Sequence, residues 1–99
     1  MDKDNDSLML EQSDGALTVL MVKFRMASLD DRAAMRPSLM KLIDNSAEFR
    51  LRLFKEGVIT TEDDLNEMGK IRDEIDAAGS KQALLLAIAR TVTFIAMKI

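Results

Sequence analysis

The stretch that decides the fold is residues 83–99, ALLLAIARTVTFIAMKI, in which only Arg90 and Lys98 are charged. Drawn as a helix with 100° between residues, it has one continuous aliphatic face. That face consists of Leu84, Leu85, Ile88, Val92, Ile95 and Ile99. The opposite face is also largely apolar and carries Leu86, Ala87, Arg90, Phe94 and Met97. The segment therefore predicts a helix that has apolar surface to bury on two sides.

Three interpretations explain the second apolar face. A membrane span needs about 20 apolar residues, and Arg90 near the middle would cost roughly 2.5 to 3.5 kcal/mol on insertion. A central helix would be covered on both sides by its own chain, and a third arrangement has a partner on one side. Arg90 argues against the span and leaves the other two open. Its guanidinium would either reach solvent along its stem or pair with an acid such as Asp73 or Asp76.

Composition limits the class of protein. The chain has 99 residues, of which 47% are hydrophobic and 31% charged, so it predicts one globular domain. The net charge of -3 argues against broad coating of nucleic acid or attraction to anionic membranes. The first residues, MDKDNDS, lack the basic and apolar regions of a signal peptide, so we expect a cytoplasmic protein.

The residue types that are missing limit the chemistry. The sequence contains no His, Cys, Trp or Tyr, and so lacks the commonest general base, thiol nucleophile and soft metal ligands. Four acids crowd into residues 62–67, but they do not have the spacing of a calcium-binding loop, and a solvated helix start explains them. We therefore expect no catalytic residues, no metal site and no cofactor, and classify the protein as non-enzymatic.

Residues 14–27 are the ambiguous segment. As a helix, they carry a stripe formed by Leu17, Leu20, Met21 and Phe24, with Val19, Val22 and Met26 forming a second apolar face behind it. As a strand, residues 16–26 would have only 91–99 to pair with, and an isolated two-stranded pair is marginal. We favour the helix, which would form the inner pair of the fold with the C-terminal helix. Residues 1–13, before it, are expected to be a flexible segment.

Capping signals divide the rest of the chain. Ser28 begins a helix at 28–35, which the dipeptide Arg36-Pro37 ends before a second helix at 38–56. The inner face of that second helix is expected to contain Leu39, Leu42, Ile43, Ala47, Phe49, Leu53 and Phe54.

Two further helices follow the glycine at position 57. Gly57 is a helix stop, and Val58 would pack back on the preceding turn. Thr61 and Asp64 have the spacing of a capping box and begin a helix at 61–78. Ser80 caps the last helix, at 81–98, so the two helices should be adjacent and antiparallel or sharply crossed. The run LFKEGVITTEDDLNEM resembles the helix, glycine turn, helix pattern of short bacterial oligomerisation modules, but capping explains its residues and we carry no function over.

The sequence thus predicts an all-α bundle of four to five helices, a single domain over residues 14–99, and a dimer. The predicted function is a small protein-protein interaction module of the adaptor, chaperone-like or assembly type, which acts through apolar helix faces on a second copy or another protein. The predicted partner interface comprises Val19, Val22, Met26, Leu86, Arg90, Phe94 and Met97. The alternative is a nucleic-acid-binding regulator that uses the basic 32–55 region, although the acids at 62–64 have the wrong sign to face phosphates.

Overall fold

The computed structural model describes residues 4–57 and 59–99, and it contains four helices within them. They are α1 (Asn5–Met26), α2 (Leu29–Glu56), α3 (Glu62–Ala77) and α4 (Lys81–Ala96). No strand occurs in the described part of the chain, so the prediction of an all-α fold is confirmed and the strand alternative for residues 16–26 and 91–99 is wrong. The packing expected of Val58 lies outside the described residues.

The helices form an elongated bundle of 43 × 22 × 20 Å. Contacts at both ends show that α1 and α3 run in the same direction: Asp6 meets the start of α3, and Lys23 meets its end. The same holds for α2 and α4, since Lys81 lies 3.9 Å from Asp31 and Arg52 meets the carbonyl of Lys98. Both α1 and α4 pack on α2 and α3. The two terminal helices therefore occupy opposite corners, and the expectation that they form the inner pair is wrong.

The core runs along the centre of the bundle and receives side chains from all four helices. Its fully buried members include Met9, Leu20, Met35, Leu42, Met68, Ile71, Ile75, Ile88 and Ile95. Each large aliphatic side chain contributes roughly 1.5 to 3 kcal/mol on burial. Thr91 is buried among them, and its hydroxyl donates to the carbonyl of Ala87 at 2.7 Å, so no polar group is left unpaired there. The aliphatic face predicted for the C-terminal helix belongs to this core from Leu84 to Ile95. Its last predicted member, Ile99, lies beyond the end of α4 and is 42% exposed, so that assignment is wrong.

Pro37 does not end a helix. One continuous helix, α2, replaces the two predicted at 28–35 and 38–56. Proline removes the hydrogen bond to the carbonyl of Ala33 and costs about 3 kcal/mol inside a helix. Pro37 and Ala33 both lie on the exposed side of α2, so that water can solvate this carbonyl. Burial of Met35 and Leu39 on the opposite side offsets the cost.

The first helix begins at Asn5, nine residues before the predicted start at Asp14. The carboxylate of Asp4 accepts the N–H of Ser7 at 2.7 Å and caps it. Met9 is 1% exposed and belongs to the core. The boundary predicted at residue 14 therefore marks no change in structure, because residues 5–13 are helical and packed like those that follow.

The predicted capping signals are confirmed. Ser28 accepts the N–H of Asp31 at 3.2 Å, and Ser80 accepts that of Ala83 at 3.2 Å. Thr61 and Asp64 exchange two hydrogen bonds of 3.0 and 3.1 Å, which is a complete capping box. Gly57 ends α2 with φ +60°, a backbone conformation that residues other than glycine rarely adopt. These short connections place α3 against α4 as predicted.

Candidate interaction surface

An open groove with a volume of about 710 Å³ lies between α3 and α4. Its lining comprises Asp63, Asp64, Glu67, Leu86, Ala89, Arg90, Thr93, Phe94, Met97 and Lys98. Four of the seven predicted interface residues are therefore in one place, since Leu86, Arg90, Phe94 and Met97 all line this groove. We refer to it as the α3–α4 groove.

The outer face of α4 forms one side of the groove, and a seam of five exposed, uncharged residues runs along it beside Arg90. The seam consists of Gln82, Leu86, Ala89, Thr93 and Ala96, at alternating spacings of four and three residues. This is the spacing of positions that face a neighbouring helix in a helix pair. Leu86 is 72% exposed and Met97, beside the seam, is 74% exposed. The seam thus has the spacing of a helix contact, and its residues are left exposed by the part of the chain that the structure describes.

Phe94 forms the floor of the groove. It is only 9% exposed and belongs to the core cluster, because α3 packs against its side of α4. The ammonium of Lys98 lies 5.4 Å from the centre of its ring, which is a cation–π distance. Phe94 offers a partner little more than a ring edge, and most of the apolar surface open to contact comes from Leu86 and Met97.

Arg90 is held by two acids of α3. One guanidinium nitrogen lies 2.5 Å from Glu67 and the other binds Glu74. The hydrogen bond to Glu67 is the main cause that raises the pKa of Arg90 above its ordinary value, and the charge of Glu74 adds to it. The sequence left two interpretations open for Arg90, a side chain that reaches solvent along its stem and a pair with an acid such as Asp73 or Asp76. The pair is present and involves the predicted helix, but its acids are Glu67 and Glu74, which are one heptad apart and face α4.

Asp64 closes one end of the groove. The residue is 9% exposed, and its carboxylate binds the ammonium of Lys98 and accepts the backbone N–H of Thr61 at 3.0 Å. Burial acts to raise the pKa of Asp64, but the hydrogen bonds from Lys98 and Thr61 outweigh it, so the pKa lies below its ordinary value. The acid is therefore ionised at neutral pH and helps to attach the end of α4 to the start of α3.

The other three predicted interface residues lie on α1, away from the groove. Val19 is half-buried and packs against the core. Val22 is 48% exposed and Met26 is 81% exposed. Met26 borders a separate cavity of about 370 Å³, where the end of α1 meets the start of α4. The seven predicted residues therefore do not form one surface.

Several cations of the basic 32–55 region are engaged within the chain. Arg50 lies 2.6 Å from Asp14, and Arg52 lies 2.8 Å from Glu56. The guanidinium of Arg36 stacks 5.9 Å from the centre of the Phe24 ring. These contacts reduce the positive charge that the region could present to phosphates, and they count against the nucleic-acid alternative.

A second apolar surface, which was not predicted from the sequence, lies on α2. Ala47 and Phe54 were assigned to the inner face, but both are exposed, and Phe54 is 74% exposed. They belong to a row of exposed residues at intervals of seven, which we call the outer stripe: Ala33, Met40, Ala47 and Phe54. The constant interval was visible in the sequence and could have identified the stripe.

Two general features of the described residues bear on function. No helix within residues 4–57 and 59–99 is long and apolar enough to cross a membrane. No group of three or more acidic side chains in this part of the chain is placed to hold a metal ion.

Comparison with known proteins finds no homologue. No family model matches the chain, and neither a curated protein nor a solved structure shows significant similarity to it.

Proposed function

We propose that the protein is a small, non-enzymatic interaction module, of the adaptor or assembly type, that works as a homodimer and receives an amphipathic helix of another protein in the α3–α4 groove. The observation that carries the proposal is the exposure of two large apolar side chains of the groove, Leu86 and Met97, which are almost three-quarters exposed on either side of Arg90. A partner that binds in the groove would bury both of them.

The shape of the groove favours a helix as the bound element. Phe94 forms an apolar floor, Leu86 and Met97 stand on the α4 side, and Arg90 and Lys98 form ion pairs with α3. An amphipathic helix binds in such a groove through apolar residues at spacings of three and four. A partner helix placed there would cover Leu86 and Met97 and leave both ion pairs at the wet rim.

Charge defines the partner further. Helix α3, which forms the other wall, contains seven acidic and two basic residues. Several of the acids, such as Glu62 and Asp63, are exposed. A helix with basic residues beside its apolar stripe would complement this wall, whereas an acidic one would be repelled. We therefore propose a basic amphipathic helix as the ligand class.

The test uses two designed helical peptides, one of Leu and Lys and one of Leu and Glu with the same pattern. We expect the Leu/Lys peptide to bind and to shift the amide resonances of α3 and α4, and the Leu/Glu peptide not to bind. Leu86→Glu should weaken binding about tenfold or more. Leu51→Glu is the matched control, because Leu51 is 57% exposed on α2 and lies outside the groove. Equal binding by both variants would remove the proposal.

A further inference from the structure

The outer stripe of α2 has a regular order of side-chain sizes. From the start to the end of the stripe it is small, large, small, large: Ala33, Met40, Ala47 and Phe54. All four are exposed, and Met40 and Phe54 are 53% and 74% exposed. The core of the chain makes no use of these side chains, so their spacing is not explained by the fold.

This order of sizes is complementary to itself when the helix direction is reversed. A two-fold axis midway between residues 43 and 44 places Ala33 opposite Phe54 of the partner subunit, and Met40 opposite Ala47 of the partner subunit. Each large side chain then meets a small one, which is how facing helices interdigitate. A parallel pair in register would place Phe54 against the partner's Phe54 and leave gaps at the alanines. The pattern therefore selects the antiparallel arrangement.

Charges on one flank of the stripe fit the same axis. Lys41 lies two and a half residues before the axis, and Glu48 lies four and a half residues after it. In the antiparallel pair, Lys41 is about 3 Å along the helix from Glu48 of the partner subunit, at 1.5 Å per residue. Neither side chain has an ion-pair partner among the residues that the structure describes.

Asp44 lies beside the axis on the same flank. It faces the partner's Asp44, and the partner's Lys41 lies about 3 Å along the helix from it. Each carboxylate is therefore next to a cation as well as to its own copy. Two-fold symmetry doubles every such contact, which is the property of an isologous interface.

We propose that two copies of the chain pair through the outer stripes of α2, antiparallel about a two-fold axis between residues 43 and 44. This inference rests on the homodimer in the proposed function and assigns its surface and direction. No residue of α2 lines the α3–α4 groove, so dimerisation leaves both grooves free to bind a helix.

A size exchange tests the interface with exposed residues that the fold does not need. In sedimentation equilibrium, Met40→Ala and Ala47→Met should each weaken the dimer, the first by leaving a gap and the second by placing two large side chains together. The double variant restores a large residue opposite a small one, and should recover most of the wild-type affinity. Alanine and methionine are both good helix formers, so unfolding temperatures of the dilute proteins should change little. The interface would be overturned if neither single variant changed the dimer affinity, or if the double variant dimerised more weakly than both single variants.

Cysteine trapping tests the direction of pairing, because the chain contains no cysteine of its own. Oxidation should link Asp44→Cys to its copy, since the two positions lie one residue apart along the axis. Phe54→Cys should remain unlinked, because its two copies would be about 30 Å apart. Linkage of Phe54→Cys alone would show a parallel pair. Linkage of neither would overturn the interface on α2.

The outcomes separate this inference from the proposal for the groove. Leu86→Glu should weaken peptide binding without changing the dimer, and Ala47→Met should weaken the dimer without changing peptide binding. A wild-type monomer at high concentration that still binds the Leu/Lys peptide would overturn the dimer alone. A dimer broken by Leu86→Glu but not by Ala47→Met would place self-association in the groove and overturn the interface on α2.

Discussion

Helix α2 has two apolar faces, and only one of them is packed. On the inner face Leu39, Leu42 and Phe49 are at most 3% exposed, whereas on the outer stripe Met40 and Phe54 are more than half exposed. The two faces contain the same types of residue, so hydrophobicity alone does not decide which one becomes the core. Position relative to α1 and α4 decides it, since those are the helices on which α2 packs. The outer stripe is available for a different contact.

The largest difference between the two faces should appear on truncation of leucine. Leu42→Ala should lower the free energy of unfolding by about 2 to 5 kcal/mol, because it leaves a cavity in the core. Leu51→Ala, on the outer side, should change it by less than about 0.5 kcal/mol. Urea unfolding of dilute protein measures both. Similar losses at the two positions would show that the outer side is also packed.

Loss of a polar contact at the end of the bundle should have the second-largest effect on the free energy of unfolding. Asp6 accepts the backbone N–H groups of Ile59 and Thr60 at 3.1 and 2.9 Å, and so ties the start of α1 to the loop after α2. Asp6→Ala should cost about 1 to 3 kcal/mol, because both N–H groups lose a charged acceptor. Asp30→Ala is the control, since Asp30 is exposed in the first turn of α2. Equal effects of the two substitutions on urea unfolding would mean that the tie contributes nothing.

Asp64 should make the stability of the fold depend on pH. Because its pKa is lower in the folded chain than the ordinary 3.8, its stabilisation is present above about pH 4 and is lost as the pH falls through the lowered value. Asp64→Asn should therefore destabilise the protein by about 1 to 2 kcal/mol at neutral pH. The gap to the wild type should close under acid conditions. Asp63→Asn, at an exposed neighbour, should show no gap in the same urea titrations. A gap that grows with acidity would contradict the assignment.

The smallest effect is expected at Arg90. Its pairs with Glu67 and Glu74 are about 40% exposed, and ion pairs in contact with solvent contribute little to stability. Arg90→Met should therefore lower the unfolding temperature less than any of the substitutions above except their controls, and high salt should reduce the difference. Thermal unfolding at two salt concentrations measures it. A loss as large as that of Asp64→Asn would mean that the ion pairs support the packing of α3 on α4.

Local signals in the sequence predicted most of the fold. The caps at Ser28, Thr61 and Ser80 and the stop at Gly57 depend on neighbouring residues only, and all four occur as predicted. The same is true of the aliphatic face of α4 from Leu84 to Ile95, because seven-residue and four-residue spacings are properties of one helix. After residue 27, the helical class and the helix ends could therefore be predicted, except for the helix end expected at Pro37.

The errors concern contacts between distant residues. The effect of Pro37 depended on whether the other side of α2 would be buried, and the start of α1 depended on the loop at Ile59 and Thr60 that Asp6 holds. The assignments of Ala47 and Phe54 failed because a broad apolar helix does not reveal which side its neighbours occupy.

The candidate site was predicted in part. Leu86, Arg90, Phe94 and Met97 follow from the second face of one helix, and they do line one groove. The burial of Phe94 and the choice of Glu67 and Glu74 as the partners of Arg90 depend on the register of α3 against α4. That register is fixed by packing over the whole interface and cannot be read from either helix alone.

The central claim is that the outer stripe stabilises the protein only through a second copy. The most direct measurement is the thermal unfolding temperature of the wild type and of Ala47→Met over a roughly hundredfold range of protein concentration. Dimerisation makes this temperature rise with concentration. We predict a rise for the wild type, a weaker or absent rise for Ala47→Met, and agreement of the two proteins at the lowest concentration. A wild-type temperature independent of concentration, or a constant deficit for Ala47→Met, would contradict the claim.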